Sequence, residues 1–390
     1  MSQAVFLVGG RGSRLGAATD LAAKPTLEIR GRPFLSYLLD EAARHGARSA
    51  LLLCGYRGAE MAAAYRGVTV RGMRVEATVE PSPMGTGGAV ALALESGLLE
   101  ETFFLANGDT LFDCNWLSLV SSAPITMALA DRVDGDRYDR VRLNGAWSRR
   151  VVSTKAAAGP ISAGLYHVRR DLTRGFLSRP CSLESDVLPL MMERGLVDGV
   201  CSSGSFIDIG VPEDLERAQS LVPAIARRPA VFLDRDGVLN VDHGHVSSVD
   251  RFEWVEGARE AVRWINDAGY LALVVTNQGG VARGLYISRD VDHLHAWMSQ
   301  ELAKAGAHVD AYEYCVDLDS EMRKPRAGML RKLMSEWSID TSASIMIGDR
   351  ETDVETAKAA GVSGHLFQGG SLLSYVSERV PRLRAMRALR

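Results

Sequence analysis

Lysine is scarce in this chain of 390 residues: only Lys24, Lys155, Lys304, Lys324, Lys332 and Lys358 stand among its 45 basic residues. Where arginine is the default, a lysine at a motif position carries information, because the two cations are not interchangeable at phosphates. Cysteine is scarce too. Cys54, Cys114, Cys181, Cys201 and Cys315 lie far apart with no CxxC pair, which argues against both a disulfide framework and a cysteine zinc site. No apolar run approaches the ~18 residues of a membrane span. The start, MSQAVFLVGG, has no cationic region and meets Gly9-Gly10 too soon for a signal peptide. A net charge of −3 offers no bulk attraction to nucleic acid or to an anionic membrane. Internal repeats and low-complexity tracts are missing. These absences leave a cytoplasmic protein without a nucleic-acid or membrane partner, with a homo-oligomer left open.

What is present is an ordinary globular composition, 46% hydrophobic and 24% charged, long enough for two or three domains at roughly 150 residues each. Two strand-like runs, AVFLVGG (4–10) and AVFLDRDG (230–237), each open a series of alternating strand and helix patterns. That alternation predicts an α/β protein: two Rossmann-like domains with mostly parallel sheets. The pattern PEDLERAQSLVPAIARRPA reads as a closing helix followed by a basic, proline-bearing connector from Pro223 to Pro229. The predicted domains are therefore 1–226 and 227–390. In both halves the chemically notable residues follow strands, as ligand sites in parallel sheets do.

In the first half, GGRGSRLGAATDLAAKP (9–25) places Gly9, Gly10, Gly12, Ser13, Arg14 and Lys24 behind a strand. Glycines let backbone N–H groups approach phosphate, and Arg14 with Lys24 can neutralise a triphosphate. The stretch has neither the GK[ST] of a P-loop nor a dinucleotide fingerprint. With VEPSPMGTGGAVALAL, FFLANGDTLFD, SAGLYHVRRD, SLESDVLPLM and GSFIDIGVPEDLERAQ following in order, residues 1–220 resemble the sugar-phosphate nucleotidyltransferases of GT-A-like fold. They look most like the branch that transfers GMP from GTP to D-glycero-α-D-manno-heptose 1-phosphate. The resemblance implies that Asp109 and Asp208 hold Mg²⁺ and that Arg14 and Lys24 take the triphosphate. It also implies that Glu80, Gly85 and Thr86 border base and ribose, and that Lys155, Gly164 and Glu184 meet the sugar phosphate. Three departures stand out: Ser13 for the usual Thr, Ala23 for Pro, and Ser162 for Asn.

In the second half, DRDGVLN (234–240) follows an apolar strand. Asp234 can serve as a carboxylate nucleophile, and Asp236 as acid towards the leaving alkoxide and base for the hydrolytic water. Thr276 in VVTNQ, Lys324 in RKP, and Asp349 with Asp353 in IGDRETD follow in order. The set resembles the four motifs of the haloacid dehalogenase (HAD) phosphatases. The resemblance implies that Asp234, the Asp236 backbone carbonyl and Asp349 hold Mg²⁺. Thr276 and Asn277 would bond the phosphoryl oxygens, Lys324 would balance their charge, and Asp353 would support the site from a helix start. NVDHGHV, TNQGGVARG and RKPRAGML look closer still to heptose 1,7-bisphosphate 7-phosphatases, a branch that includes histidinol phosphatases. There Asp242, His245, Gln278, Gly279, Arg283, Arg323 and Arg350 would line the substrate pocket. That branch usually carries a zinc loop before RKP. Here only YCVDLDSEMRKP remains, so no zinc is expected. A fusion of the two activities implies consecutive steps: a 7-phosphatase feeding a nucleotidyltransferase that makes GDP-heptose. The alternatives are the same chemistries on another sugar, of the mannose 1-phosphate type, or one half retained only for binding.

Overall fold

Uninterrupted apolar runs become strands covered on both faces, and three of them, Gln3–Leu7, Ser49–Cys54 and Thr102–Asn107, build the centre of the first sheet. A computed structural model describes residues 3–19, 22–131, 138–145, 148–177 and 179–383 (backbone alone for 17–19 and 172). The chain divides into two compact units, Met1–Ile225 and Ala226–Arg390.

In the first unit, Gln3–Leu7 lies parallel between Ser49–Cys54 and Thr102–Asn107, and Met73–Val79 continues the parallel set beyond Ser49–Cys54. Strand Ile161–Arg169 runs antiparallel to Thr102–Asn107, making the sheet mixed on that side. Val5, Leu51, Leu105, Met127 and Tyr166 meet in its core. The pattern over 71–80, broken at Gly72, resolves into a turn at Gly72 (φ +81°) and the strand Met73–Val79. A small antiparallel pair, Thr110–Phe112 with Phe206–Asp208, sets Asp208 opposite Thr110. It thereby brings two loops about a hundred residues apart in sequence to one place.

The second unit is fully parallel. Its strand order is Ala311–Cys315, Leu271–Asn277, Ala230–Leu233, Ile345–Gly348, Ser363–Leu366. The order reverses at Ala230–Leu233, the first strand of the unit. The crevice beyond the carboxyl ends at such a reversal is where doubly wound sheets bind ligands.

One expectation is corrected. Pro223 lies inside the helix Pro212–Ala226 rather than in a connector. A proline there removes the donor that would reach the carbonyl four residues back, which is Gln219. Arg30 supplies the missing partner, its Nε donating to the Gln219 carbonyl at 3.0 Å. The helix therefore continues past the proline.

Among the described residues, no helix is long and apolar enough to cross a membrane.

Candidate active sites

Each unit carries a cavity at the carboxyl ends of its parallel strands. The one in the second unit, about 330 Å³, is lined by Asp234, Asp236, Asp242, His245, Thr276, Asn277, Gln278, Gly279, Arg283, Arg323, Lys324, Arg350 and Asp353. Every residue expected from motif and resemblance to line a phosphatase pocket is therefore in one cavity, with Asp349 beside it.

The order begins in the backbone. Asp234 follows the buried strand Ala230–Leu233, and its N–H donates to the Ile347 carbonyl of the neighbouring strand at 3.0 Å. Gly237 takes φ +86°, and a Cβ there would lie 2.3 Å from Asp349 Oδ2. Only glycine lets the DRDG turn pass under the IGD loop.

Lys324 is the electrostatic centre. Its buried ammonium lies 2.7 Å from Asp234 Oδ2 and 2.7 Å from Asp353 Oδ1, and donates to the Val275 carbonyl at 3.1 Å. Burial works against the lysine's charge, but the two carboxylates outweigh it and hold its pKa above the usual value. Burial pushes the Asp234 carboxyl upward, with Lys324 pulling it back. The segment bearing Lys324 is pinned reciprocally: Asn277 Nδ2 donates to the Lys324 carbonyl and Lys324 N–H to Asn277 Oδ1, both at 3.1 Å.

Oxygens of Asp234, Asp349 and Asp353 all lie within 4.8 Å of one another. Burial raises Asp349, Arg350 opposing, and Asp349 Oδ1 is buried with no hydrogen-bond partner among the described residues. A buried carboxylate oxygen left unpaired is costly, and three carboxylates at this spacing suit a hard cation.

The Asp236 carboxylate faces Gln278 Nε2 at 2.9 Å and Asn240 Nδ2 at 3.0 Å. At the rim, Arg350 donates to Asp242 at 2.7 Å, and Arg283 lies 3.4 Å from His245. The sequence reading missed Tyr286, whose hydroxyl donates to Gln278 Oε1 at 2.8 Å, and Thr352. No spacing signal distinguishes either residue. It also missed Arg235, which sits in the bend between Asp234 and Asp236 and is fully buried; nothing in the sequence marks that side chain for the interior.

The first unit's cavity, about 690 Å³, is lined among others by Gly9, Gly10, Lys24, Glu80, Gly85, Thr86, Asn107 and Asp109. Gly9 and Gly55 approach so closely that a Cβ on Gly55 would lie 2.8 Å from the Gly9 carbonyl oxygen. Buried Lys24 pairs with Asp109, and its ammonium lies 3.5 Å from Asp208 Oδ1. Three expected site residues thus converge. Glu80 is half-buried in the wall, Oε2 accepting from the Met84 N–H at 3.2 Å. Burial raises its pKa, the Met84 N–H opposing. Thr86 Oγ1 donates to Glu184 Oε2 at 2.6 Å, joining two other expected residues. Gly164, at φ +66°, packs on the Asn107 side chain.

Gly12, Ser13, Arg14, Lys155, Gly164, Glu184 and Asp208 are not in the lining. Ser13 and Arg14 are exposed, and Lys155 is exposed on Val151–Ala156, a strand at one end of the sheet.

Residues 3–129 match the family described as Nucleotidyl transferase, and residues 321–376 the family described as HAD-hydrolase-like. Together with the two sites, these matches define an enzyme with a nucleotidyltransferase unit and a HAD phosphatase unit. A D-glycero-beta-D-manno-heptose-1,7-bisphosphate 7-phosphatase of Rhodopseudomonas palustris is 43% identical over 162 residues, 39% of this chain and 90% of that protein. A D-glycero-D-manno-heptose-1,7-bisphosphate 7-phosphatase of Thermosynechococcus vestitus is 41% identical over 160 residues, 37% of this chain and 80% of that protein. The chain belongs to this heptose-bisphosphate phosphatase family, whose motifs its second unit carries. The structure of HddC from Yersinia pseudotuberculosis complexed with GMP-PN matches at 26% identity and a TM-score of 0.50, over 56% of this chain and 98% of that one.

Proposed function

We propose that the second unit removes the 7-phosphate of D-glycero-α-D-manno-heptose 1,7-bisphosphate, and that the first transfers GMP from GTP to the resulting 1-phosphate. The products are GDP-heptose and pyrophosphate. A cytoplasmic location belongs to the same reading, since the first unit would draw on a nucleoside triphosphate.

In the phosphatase, Asp234 attacks phosphorus while Lys324 balances the phosphoryl charge and Thr276 and Asn277 bond its oxygens. Asp236 gives a proton to the leaving sugar oxygen, then takes one from the water that hydrolyses the aspartyl phosphate. Asp234, Asp349 and the Asp236 carbonyl would hold Mg²⁺, and the unpartnered Asp349 Oδ1 fits that assignment. The metal, when bound, neutralises phosphoryl charge. Asp242, His245, Gln278, Arg283, Arg323 and Arg350 receive the sugar and its distant phosphate.

In the transferase, Asp109 and Asp208 would hold Mg²⁺. The contacts of both carboxylates with the Lys24 ammonium support this reading, since the two oxygens lie near one another beside a cation. Lys24, Arg14 and the glycine-rich turn of Gly9, Gly10, Gly12 and Ser13 bind the triphosphate. Lys155, Gly164 and Glu184 position the sugar phosphate. The choice of base rests chiefly on Glu80. A carboxylate offers only acceptors when ionised, and guanine presents two adjacent donors, N1–H and the 2-amino group. Adenine and cytosine place an acceptor beside their amino donor, and uracil has a single donor flanked by acceptors.

The α configuration follows the resemblance of the first unit, while the Rhodopseudomonas relative has β in its name. The reacting 7-phosphate is the same in both anomers. The test is pyrophosphate release with each of the four nucleoside triphosphates and each anomer of heptose 1-phosphate. GTP with the α anomer is expected to be preferred, and Glu80→Gln to lose about tenfold or more of the preference for GTP over ATP. Equal use of ATP and GTP by the native enzyme would refute the base assignment.

A further inference from the structure

Arg235 stands between the two aspartates of DRDG, yet it is fully buried and takes no part in the chemistry derived above. Its guanidinium turns back beneath Asp236. Nη2 lies 3.0 Å from Asp236 Oδ1 and 2.9 Å from Oδ2, and Nε lies 3.3 Å from Oδ1. The same Nη2 donates to the Val246 carbonyl at 2.5 Å, in the stretch just after Asp242 and His245. On its far side, Nη1 lies 3.5 Å from His295 Nε2. His295 is itself fixed, stacked on Tyr312 with ring centroids 4.5 Å apart and 17° between planes. Burial, and then Arg235, push its pKa down to about 3, so the ring stays neutral and offers Nε2 as an acceptor.

We propose that Arg235 is a positioning residue for phosphoryl transfer: its fork fixes the Asp236 carboxylate in the one orientation that meets the leaving oxygen, and ties that carboxylate to the substrate-facing loop through Val246. The argument rests on the reading of Asp236 as general acid/base. A planar fork suits this task where an ammonium does not, because it grips both carboxylate oxygens at a fixed angle. An aspartate has two side-chain torsions to settle. Gln278 and Asn240 approach one oxygen each, whereas Arg235 alone spans the pair. A small error in that orientation matters, because proton transfer demands hydrogen-bond reach to the reacting oxygen. Arg235 touches no substrate atom, and its effect passes through Asp236.

The leaving group exposes this role. In the full-length protein, kcat/KM is measured for a hexose 6-phosphate, whose alkoxide needs a proton to depart, and for p-nitrophenyl phosphate, whose phenolate does not. Asp236→Asn is the control, expected to lose about 100-fold on the alkyl ester and at most about threefold on the aryl ester. Arg235→Met is expected to show the same split at about 30-fold, and Arg235→Lys, which keeps charge without the fork, at about fivefold. Equal losses on both esters in the Arg235 variants, with Asp236→Asn still splitting them, overturn the positioning role alone. No split in Asp236→Asn overturns the acid/base reading beneath it. Circular dichroism checks folding of each variant. If Arg235→Met does not fold, Arg235→Lys decides, and native behaviour on both esters overturns the proposal. If neither folds, His295→Phe, which leaves the fork unbraced, is expected to split the esters about threefold, and a parallel loss or none overturns it.

Discussion

The two cavities hold their charges in opposite ways. In the phosphatase cavity the nucleophile, acid and counter-charge candidates are gripped by contacts within the protein: Lys324 between Asp234 and Asp353, Asn277 on the Lys324 backbone, Gln278 and Asn240 on Asp236. In the transferase unit the expected groups meet in two separate contacts, Lys24 with Asp109 and Asp208, and Thr86 with Glu184, while Arg14 stands exposed outside the cavity lining. The difference follows from the chemistry. A covalent route through an aspartyl phosphate needs a nucleophile, an acid and a counter-charge fixed to within fractions of an ångström. Transfer between two bound phosphates needs no protein nucleophile, so its cations can be carried on a glycine-rich turn that meets the triphosphate itself.

The sharpest way to break this comparison is to disable one unit at a time. Asp234→Asn is expected to lower phosphate release by roughly 10³-fold or more and leave pyrophosphate release from GTP and heptose 1-phosphate unchanged. Asp208→Asn is expected to do the reverse, lowering pyrophosphate release by roughly 100-fold. A loss of both activities in either variant would mean the two sites are not chemically independent.

Acid separates scaffold from site. His167 is buried beside Phe104, and burial, then Arg169, push its pKa down to about 4. The unfolded chain therefore takes up the proton first as pH falls. Stability is full above about pH 6.5 and drains towards pH 4, by roughly 3 kcal/mol from this group alone. Urea midpoints of the native protein and His167→Phe, compared from pH 7 to 4, should show a shallower decline in the variant. Parallel declines would contradict a neutral buried imidazole.

The smallest effect tests the exposed arginine. Arg14→Ala is expected to raise KM for GTP about tenfold with stability unchanged. A loss of stability instead would show that Arg14 supports the fold.

Legibility in the sequence followed the same division. Asp234, Asp236, Thr276, Lys324 and Asp349 each end a strand or sit in a short motif, so their order along the chain already announces a shared site. The parallel sheet then delivers them to one edge. Arg235 was overlooked because a charged residue between two aspartates suggests a solvated turn, and only its burial reveals the fork. In the first unit, Asp109 and Asp208 were named by resemblance. Their meeting at Lys24 depends on the antiparallel pairing of Thr110–Phe112 with Phe206–Asp208, which no local pattern encodes. Pro223 misled for a related reason: the partner that lets the helix continue past it is Arg30, nearly two hundred residues away.

The central claim is that the two units act in sequence on one heptose. Phosphorus NMR of the full-length protein with Mg²⁺, D-glycero-α-D-manno-heptose 1,7-bisphosphate and GTP tests it most directly. The account predicts loss of the 7-phosphate signal first, followed by pyrophosphate and a sugar diphosphonucleoside. Nucleotide coupling while the 7-phosphate is still attached, or phosphate release with no coupling to GTP, would contradict it.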